Sequence, residues 1–278
     1  MKRLGLALGG GGARGLAHIG VFKVLEQAHI PIACLAGTSM GGILAAAYAL
    51  GYTSAELEQR AIALARPREW VKLVELAAPR RGLLDGRRVR DYLAALIDPD
   101  CDFADLRLPT ALCAVDLERG EEVYLTEGSL LSAALATSAM PGVLPPQIVG
   151  PRYLVDGGVL NNVPANLARS LGADVVLAVD PQIDPHREPR WQELQEKPRW
   201  PFMPPDLFLD FYRAELLMVA ELTRAHLRAD GTELLIYPRI SVDITMFLGF
   251  VHAQEIIDAG EEAARQALPR IQALLELA

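Results

Sequence analysis

The chain lacks an apolar run long enough to cross a lipid bilayer, which takes about 20 consecutive apolar residues, although 51% of its 278 residues are hydrophobic. The amino-terminal apolar run, residues 4–8, stops at a glycine tract. A signal peptide needs a core of roughly 7–15 apolar residues. We therefore expect a soluble, cytoplasmic protein, whose membrane contact would be peripheral, at the inner membrane face.

Cysteine and positive charge are also scarce. The three cysteines are an odd number and form no Cys-x-x-Cys pair, so neither a disulfide framework nor a zinc or redox motif is indicated. The 27 Lys and Arg residues are outnumbered by 35 Asp and Glu residues, and the formal net charge is −8. This charge argues against general nucleic-acid binding, which needs positive charge against phosphates. We expect no nucleic-acid partner, no metal and no cofactor.

Short apolar runs alternate with longer stretches of helical period. This alternation predicts a three-layer α/β/α fold, with a mostly parallel central sheet covered on both faces, as a single domain over residues 1–278. Thr53 and Glu56 have the spacing of a capping box before one helix. The predicted strands are 4–8, 32–36, 110–115, 122–125, 153–155, 175–179 and 233–237. The predicted helices are 16–28, 42–50, 55–65, 87–97, 163–170, 207–229 and 253–277.

A glycine tract, Gly9 to Gly12, follows the first predicted strand and leads into the first helix. With Gly15 it matches the dinucleotide-binding spacing Gly-x-Gly-x-x-Gly. That motif also needs an acidic residue at the end of the second strand, and none is present there. Successive N–H groups at a helix N-terminus also suit an oxyanion. We favour the oxyanion over the nucleotide, with a plain tight turn as the third alternative.

A Gly-x-Ser-x-Gly motif, with Gly37, Ser39 and Gly41, lies between a predicted strand and a predicted helix. This is the context of a nucleophile elbow, in which the serine occupies a sharp, strained turn. The N–H of Met40 would then face a developing oxyanion. The alternative is a serine that only caps the helix.

A serine nucleophile needs a base, and two residues are candidates. Asp156 follows a predicted strand and precedes Gly157 and Gly158, and catalytic groups commonly lie at the carboxyl ends of strands in such sheets. His252 fits the chain order serine, acid, histidine of the α/β-hydrolases. It begins an amphipathic helix, however, where a surface or capping role is simpler.

Taken in order, these motifs resemble the patatin-like phospholipases, in particular the short bacterial members related to the neuropathy target esterase branch. The resemblance covers roughly residues 4–180 and extends weakly to the helix near residues 256–260. Its motifs are Gly10-Gly11-Gly12-Ala13-Arg14-Gly15, Gly37-Thr38-Ser39-Met40-Gly41, Ala136-Thr137-Ser138-Ala139-Met140-Pro141-Gly142, Asp156-Gly157-Gly158 and Asn161-Asn162-Val163-Pro164.

The resemblance implies a Ser39–Asp156 dyad without histidine, and an oxyanion hole formed by Gly10, Gly11 and Gly12. Arg14 takes the family's basic position, where it would hold the loop or meet a phosphate. The implied activity is calcium-independent hydrolysis of phospholipid, lysophospholipid or other acyl esters through an acyl-enzyme. Two alternatives stay open: a histidine-triad esterase that uses His252, and a non-catalytic nucleotide-binding or scaffold protein.

Two further stretches bear on lipid contact. Residues 181–212 form an insertion rich in proline and charge, and six of the chain's 17 aromatic residues lie within 191–212. Such loops are usually functional or mobile, and we weigh a lid, an interfacial anchor, an oligomer contact and ordinary core. An arginine cluster would either attract anionic headgroups or be a solvated face. The sequence specifies no oligomeric state. The clustered arginines are Arg80, Arg81, Arg87, Arg88 and Arg90.

Overall fold

The computed structural model describes residues 2–66, 86–188, 206–246 and 249–276, and it confirms a mostly parallel sheet flanked by helices. The strands are β1 (Leu4–Leu8), β2 (Ile32–Thr38), β3 (Thr110–Asp116), β4 (Glu121–Leu125), β5 (Gln147–Val149), β6 (Arg152–Asp156), β7 (Val175–Val179) and β8 (Leu234–Ile236). The helices are α1 (Ala17–Gln27), α2 (Met40–Leu50), α3 (Ser54–Leu64), α4 (Arg87–Ala94), α5 (Leu130–Thr137), α6 (Ala165–Ser170), α7 (Asp206–Ala229) and α8 (Ala253–Glu276).

The strands of the described residues follow the spatial order β5-β6-β3-β2-β1-β7-β8, and β4 also pairs with β3. Five neighbouring strands run parallel to one another, namely β3, β2, β1, β7 and β8. Strands β4 and β6 pair with β3 in the antiparallel sense, and β5 is antiparallel to β6. The carboxyl ends of the parallel strands therefore share one edge of the sheet, where sites in open α/β folds are usually built.

The two faces of the sheet carry side chains of different size. Leu4, Leu6 and Leu8 of β1 belong to a large apolar cluster with residues of α1, α2 and α8. On the opposite face, Ala7 and Ala36 join a smaller cluster with residues of α6. Side chains alternate between faces along a strand. Small residues on one face let α6 lie close to the sheet, and both faces are covered.

Within the described residues, the sequence predicted the positions of most helices and strands and missed one helix and one strand. The capping box at Thr53 and Glu56 is confirmed, with both reciprocal hydrogen bonds present. Helix α5 was missed because it is apolar almost all round and buried, so it shows no helical period. Strand β5 was missed because it has only three residues. The helix predicted from residue 163 begins after Pro164, at Ala165.

Several predictions fall outside the described residues. Of the predicted insertion at 181–212, residues 189–205 are outside the described part of the chain, so the lid, anchor and contact interpretations stay predictions. Arg80 and Arg81 are also outside it, whereas Arg87, Arg88 and Arg90 are exposed on α4. Over the described ranges, no helix combines the length and apolar character needed to span a membrane.

Helices α1 and α8 approach each other through two glycines. A Cβ atom added at Gly260 would lie 1.9 Å from the carbonyl oxygen of Ala17. One added at Gly20 would lie 2.1 Å from the carbonyl oxygen of Ile257. Because backbone faces backbone at both points, neither contact can relax by moving a side chain.

We predict that Gly260→Ala destabilises the protein, even though alanine in a helix is ordinarily favoured over glycine by about 1 kcal/mol. The added methyl group overpacks the α1–α8 contact, and we expect a net loss of about 2 kcal/mol or more. Thermal and urea unfolding measure it. Glu262→Ala, on the exposed side of the same helix, is the matched control with little effect. Equal stability of the Gly260→Ala protein would contradict the close packing.

Candidate active site

Strand β3 brings the predicted nucleophile and base together. Thr38, the last residue of β2, pairs with Cys113, and Asp156, the last residue of β6, pairs with Ala114. Strand β4 pairs with β3 over residues 112–116, so β2 and β6 must share the other edge. Thr38 and Asp156 therefore face consecutive residues of one strand. The Ser39 hydroxyl that follows donates a hydrogen bond to the Asp156 carboxylate.

Ser39 occupies a strained turn between β2 and α2. Its φ of 54° and ψ of −126° lie outside the regions that non-glycine residues normally adopt. The turn needs Gly41, because a Cβ atom there would lie 2.2 Å from the carbonyl oxygen of Leu8. The Ser39 N–H donates to Thr137 Oγ1 at 3.0 Å, and that hydroxyl donates to the carbonyl of Cys113. Thr137 thus ties the elbow to β3, a role that its sequence motif did not reveal.

Asp156 is buried, with only 7% of its surface exposed. Burial raises the pKa of its carboxyl to about 6, while hydrogen bonds from the Ser39 hydroxyl and the Gly158 N–H act in the opposite direction. The Gly158 N–H lies 2.8 Å from Asp156 Oδ1. Gly157 packs so closely on β3 that a Cβ atom would lie 2.4 Å from the Cys113 carbonyl oxygen. Near neutral pH the carboxylate is ionised, and it is a stronger base than an ordinary aspartate.

The glycine loop lies beside the serine. The Gly10 N–H donates to the carbonyl of Asn162 at 3.2 Å, so it is already engaged. The N–H groups of Gly11, Gly12 and Met40 have no hydrogen-bond acceptor within the described ranges. Met40 is the first residue of α2, where the helix dipole also favours negative charge. The oxyanion-hole assignment of Gly10, Gly11, Gly12 and Met40 stays a prediction.

Arg14 holds the loops around this tract. Its side chain is 4% exposed, and its guanidinium donates to the carbonyls of Pro181, Ser241 and Ile244 at 2.8, 3.0 and 3.1 Å. A fourth bond reaches the carbonyl of Ile240 at 3.3 Å. Of the two roles expected for this arginine, the geometry fits the loop-holding one.

His18, for which the sequence indicated no role, holds the glycine loop through a hydrogen bond to its backbone. Its ring is fully buried, and Nε2–H donates to the Gly9 carbonyl at 2.8 Å. Burial lowers the pKa of His18 to about 4, so the ring is neutral at physiological pH. The position of His18 close after the glycine motif, at the start of α1, is the sequence feature that could have indicated this role.

Ser39 and Asp156 open into a cleft. Helix α7 contributes Glu215, a carboxyl group that sequence reasoning missed. Burial, and then the negative charge of Asp156, raise the pKa of Glu215 to about 7. The described residues that line the cleft are Gly10, Gly11, Ser39, Met140, Pro141, Asp156, Gly158, Val159, Asn162, Gln182, Glu215, Val219 and Met246.

His252 does not belong to this lining. It ends a short 3₁₀ helix just before α8, its side chain is half exposed, and Nδ1 lies 3.4 Å from a carboxylate oxygen of Glu255. That contact matches a surface or capping role better than a catalytic one. Among the described residues, no cluster of His, Cys, Asp or Glu side chains could hold a metal ion.

Comparison with known proteins places this geometry in a family. The sequence model of the family described as Patatin-like phospholipase matches residues 6–169. Patatin-like phospholipase domain-containing protein 6 of Mus musculus is 35% identical over an alignment of 188 residues that covers 64% of this chain and 13% of that protein. An NTE family protein of Mycobacterium tuberculosis is 34% identical over an alignment of 183 residues that covers 64% of this chain and 48% of that protein. The chain thus spans less than half the length of these relatives.

Among solved structures, VipD from Legionella pneumophila has a similar fold. The TM-score is 0.52 at 11% sequence identity, and the match covers 97% of this chain and 67% of that one. At this identity the likeness concerns the fold alone. The family match includes the glycine loop, the serine elbow and the Asp156 turn, and the chain belongs to the patatin-like phospholipase family.

Proposed function

We propose that the protein is a serine hydrolase that cleaves acyl esters of lipids, phospholipid or lysophospholipid, with Ser39 as nucleophile and Asp156 as base. One observation carries the proposal: a serine in a strained turn donates a hydrogen bond to a buried carboxylate, beside N–H groups that have no acceptor among the described residues. A plain helix cap would need neither the strain nor the carboxylate.

The proposed reaction has two steps. Asp156 accepts the proton of the Ser39 hydroxyl as the Oγ atom attacks the ester carbonyl, and then returns that proton to the departing alcohol. The N–H groups of Gly11, Gly12 and Met40 stabilise the oxyanion, and one such donor is typically worth about 10²–10³ in rate. Water, activated in turn by Asp156, then releases the fatty acid from the acyl-enzyme.

Contact with a lipid surface is part of the proposal. Helix α7 lines the cleft through Glu215 and Val219, and the same helix exposes three large apolar side chains, Leu217, Met218 and Leu222. Exposed apolar side chains beside a cleft for lipid suit peripheral contact with a membrane or micelle. We further propose that the chain acts as one hydrolase unit, because the described strands all belong to a single sheet.

A fluorophosphonate probe should label the protein at Ser39 and add one adduct mass. The strained elbow exposes the hydroxyl to the probe, and the neighbouring carboxylate activates it. Intact-mass spectrometry and an esterase assay would measure labelling and turnover. Ser39→Ala should abolish both, whereas Ser138→Ala, in a nearby turn, should retain both. Substantial activity in the Ser39→Ala protein would show that the nucleophile lies elsewhere.

Asp156→Asn should lower kcat/KM by several orders of magnitude, about as far as Ser39→Ala, because it keeps the shape of the side chain and removes the base. Residues of one catalytic unit are not additive, so the double variant should be little worse than either single one. His252→Ala should stay within a few-fold of the parent. Collapse of activity in a folded His252→Ala protein would instead support the histidine triad.

The pH profile tests which carboxyl group is the base. Asp156 titrates at about 6 and Glu215 at about 7, so Glu215 is still largely protonated while Asp156 ionises. We expect kcat/KM to fall about tenfold per pH unit below about pH 6, since only the ionised base accepts a proton. Glu215→Gln should leave this limb in place, as should the exposed control Glu221→Gln. A limb near pH 7 that disappears in Glu215→Gln would make Glu215 the base.

A further inference from the structure

Asn162 lies inside the cleft, and the proposed dyad chemistry does not use it. The residue is 3% exposed, and its backbone carbonyl accepts the Gly10 N–H. Its side-chain Nδ2 is buried and has no hydrogen-bond acceptor among the described residues. A buried amide donor without a hydrogen-bond partner destabilises the folded protein. Packing alone therefore does not explain an asparagine at this position.

The neighbouring Asn161 shows the contrast. Its Nδ2 donates to Glu122 and to Asn166, both at 2.9 Å, and its carbonyl accepts the Thr38 hydroxyl at 2.9 Å. Asn161 is therefore fully explained by the scaffold, and it fixes the chain next to Asn162. Of the two asparagines, Asn162 is the one that lines the cleft.

The position of the Asn162 amide is defined by two glycines. A Cβ atom on Gly158 would lie 3.1 Å from Asn162 Oδ1 and 3.2 Å from Asp156 Oδ1. A Cβ atom on Gly10 would lie 2.7 Å from Asn162 Oδ1 and 3.0 Å from the Cβ of Ser39. The Asn162 amide oxygen thus borders the base on one side and the nucleophile on the other. A water molecule that bridges these groups would donate one hydrogen bond to the Asn162 amide oxygen and the other to the Asp156 carboxylate.

The geometry points to Asn162 as the residue that binds the hydrolytic water of the second half-reaction. This inference rests on the proposed acyl-enzyme mechanism. The free oxyanion donors lie on Gly11, Gly12 and Met40, whereas Asn162 lies beside the base. The leaving alcohol departs from the base's side of the ester, because the base protonates it there. Water must enter at the same place to meet the same base.

Hydrolysis of the acyl-enzyme consumes only water. The water oxygen forms a bond to the acyl carbon while one of its protons passes to Asp156 and the carbonyl becomes an oxyanion. The tetrahedral intermediate then collapses, the bond from the acyl carbon to Ser39 Oγ breaks, and Asp156 returns the proton to Oγ. The products are a free fatty acid and the original serine. Asn162 takes no proton and only holds the water in line.

A neutral amide suits this place better than a carboxylate. Asp156 and Glu215 already put two carboxyl groups in the cleft, and the negative charge of Asp156 raises the pKa of Glu215. A third acidic group beside Asp156 would raise its pKa further and weaken the ionised base near neutral pH. An amide offers a donor and an acceptor to water without adding charge.

Asn162→Ala separates the two half-reactions. In stopped-flow experiments with p-nitrophenyl butyrate, the burst reports acylation and the steady phase reports deacylation. We expect the deacylation rate to fall on the order of tenfold to a hundredfold, because a positioned water is lost, while the burst rate stays within a few-fold. Intact-mass spectrometry should then show an acyl adduct accumulating on Ser39. Fluorophosphonate labelling, which needs no water, should keep its rate.

Asn166→Ala is the matched control, since Asn166 bonds to Asn161 and Tyr124 outside the cleft lining. It should not make the acyl-enzyme accumulate. Asn162→Ser keeps a small hydroxyl near the water and should give an intermediate deacylation rate, which guards against misfolding of the alanine variant. Equal loss of the burst and steady rates without an acyl adduct, or an unchanged deacylation rate, overturns the inference. An unmodified protein that hydrolyses no ester and takes no label overturns the proposed function as well.

Discussion

Strand β3 pairs along one edge first with β2 and then with β6, and the rest of the site depends on this shared edge. The register sets Thr38 opposite Cys113 and Asp156 opposite Ala114. Asp156 and the residue before Ser39 therefore face neighbouring residues of β3. A slip of one residue in either pairing would turn the side chains to the other face of the sheet. Thr137 and Gly157 both contact the backbone of Cys113 and so hold the two chain ends at this point.

The glycine loop depends on polar groups that are buried beneath it. Arg14 donates to carbonyls near residues 181 and 240–244, and His18 donates to the Gly9 carbonyl. Burial of Arg14 is tolerated because its guanidinium is satisfied by backbone acceptors rather than left in an apolar environment. These bonds order a tract that glycine would otherwise leave flexible. The N–H groups proposed as oxyanion donors would therefore be oriented before a substrate arrives.

The sequence was informative where function lies in local motifs, and less so where it depends on distant contacts. The glycine tract, the Ser39 elbow and the Asp156 turn each lie between a strand and a neighbouring turn or helix, so their positions could be predicted. Glu215 could not, because only the packing of α7 brings it to the cleft. Helix α5 escaped because a helix buried on all sides has no period to detect.

Burial of the proposed dyad resolves a difficulty in using a carboxylate as the base for an alcohol. A solvated aspartate, with a pKa near 4, is too weak a base, whereas complete burial without partners would keep the group protonated. Asp156 lies between these limits, because hydrogen bonds from Ser39 and Gly158 offset part of the desolvation and its pKa is about 6. Glu215 has burial and the Asp156 charge but no such offset. The hydrogen bonds, rather than burial alone, therefore distinguish the carboxyl group proposed as the base from its neighbour.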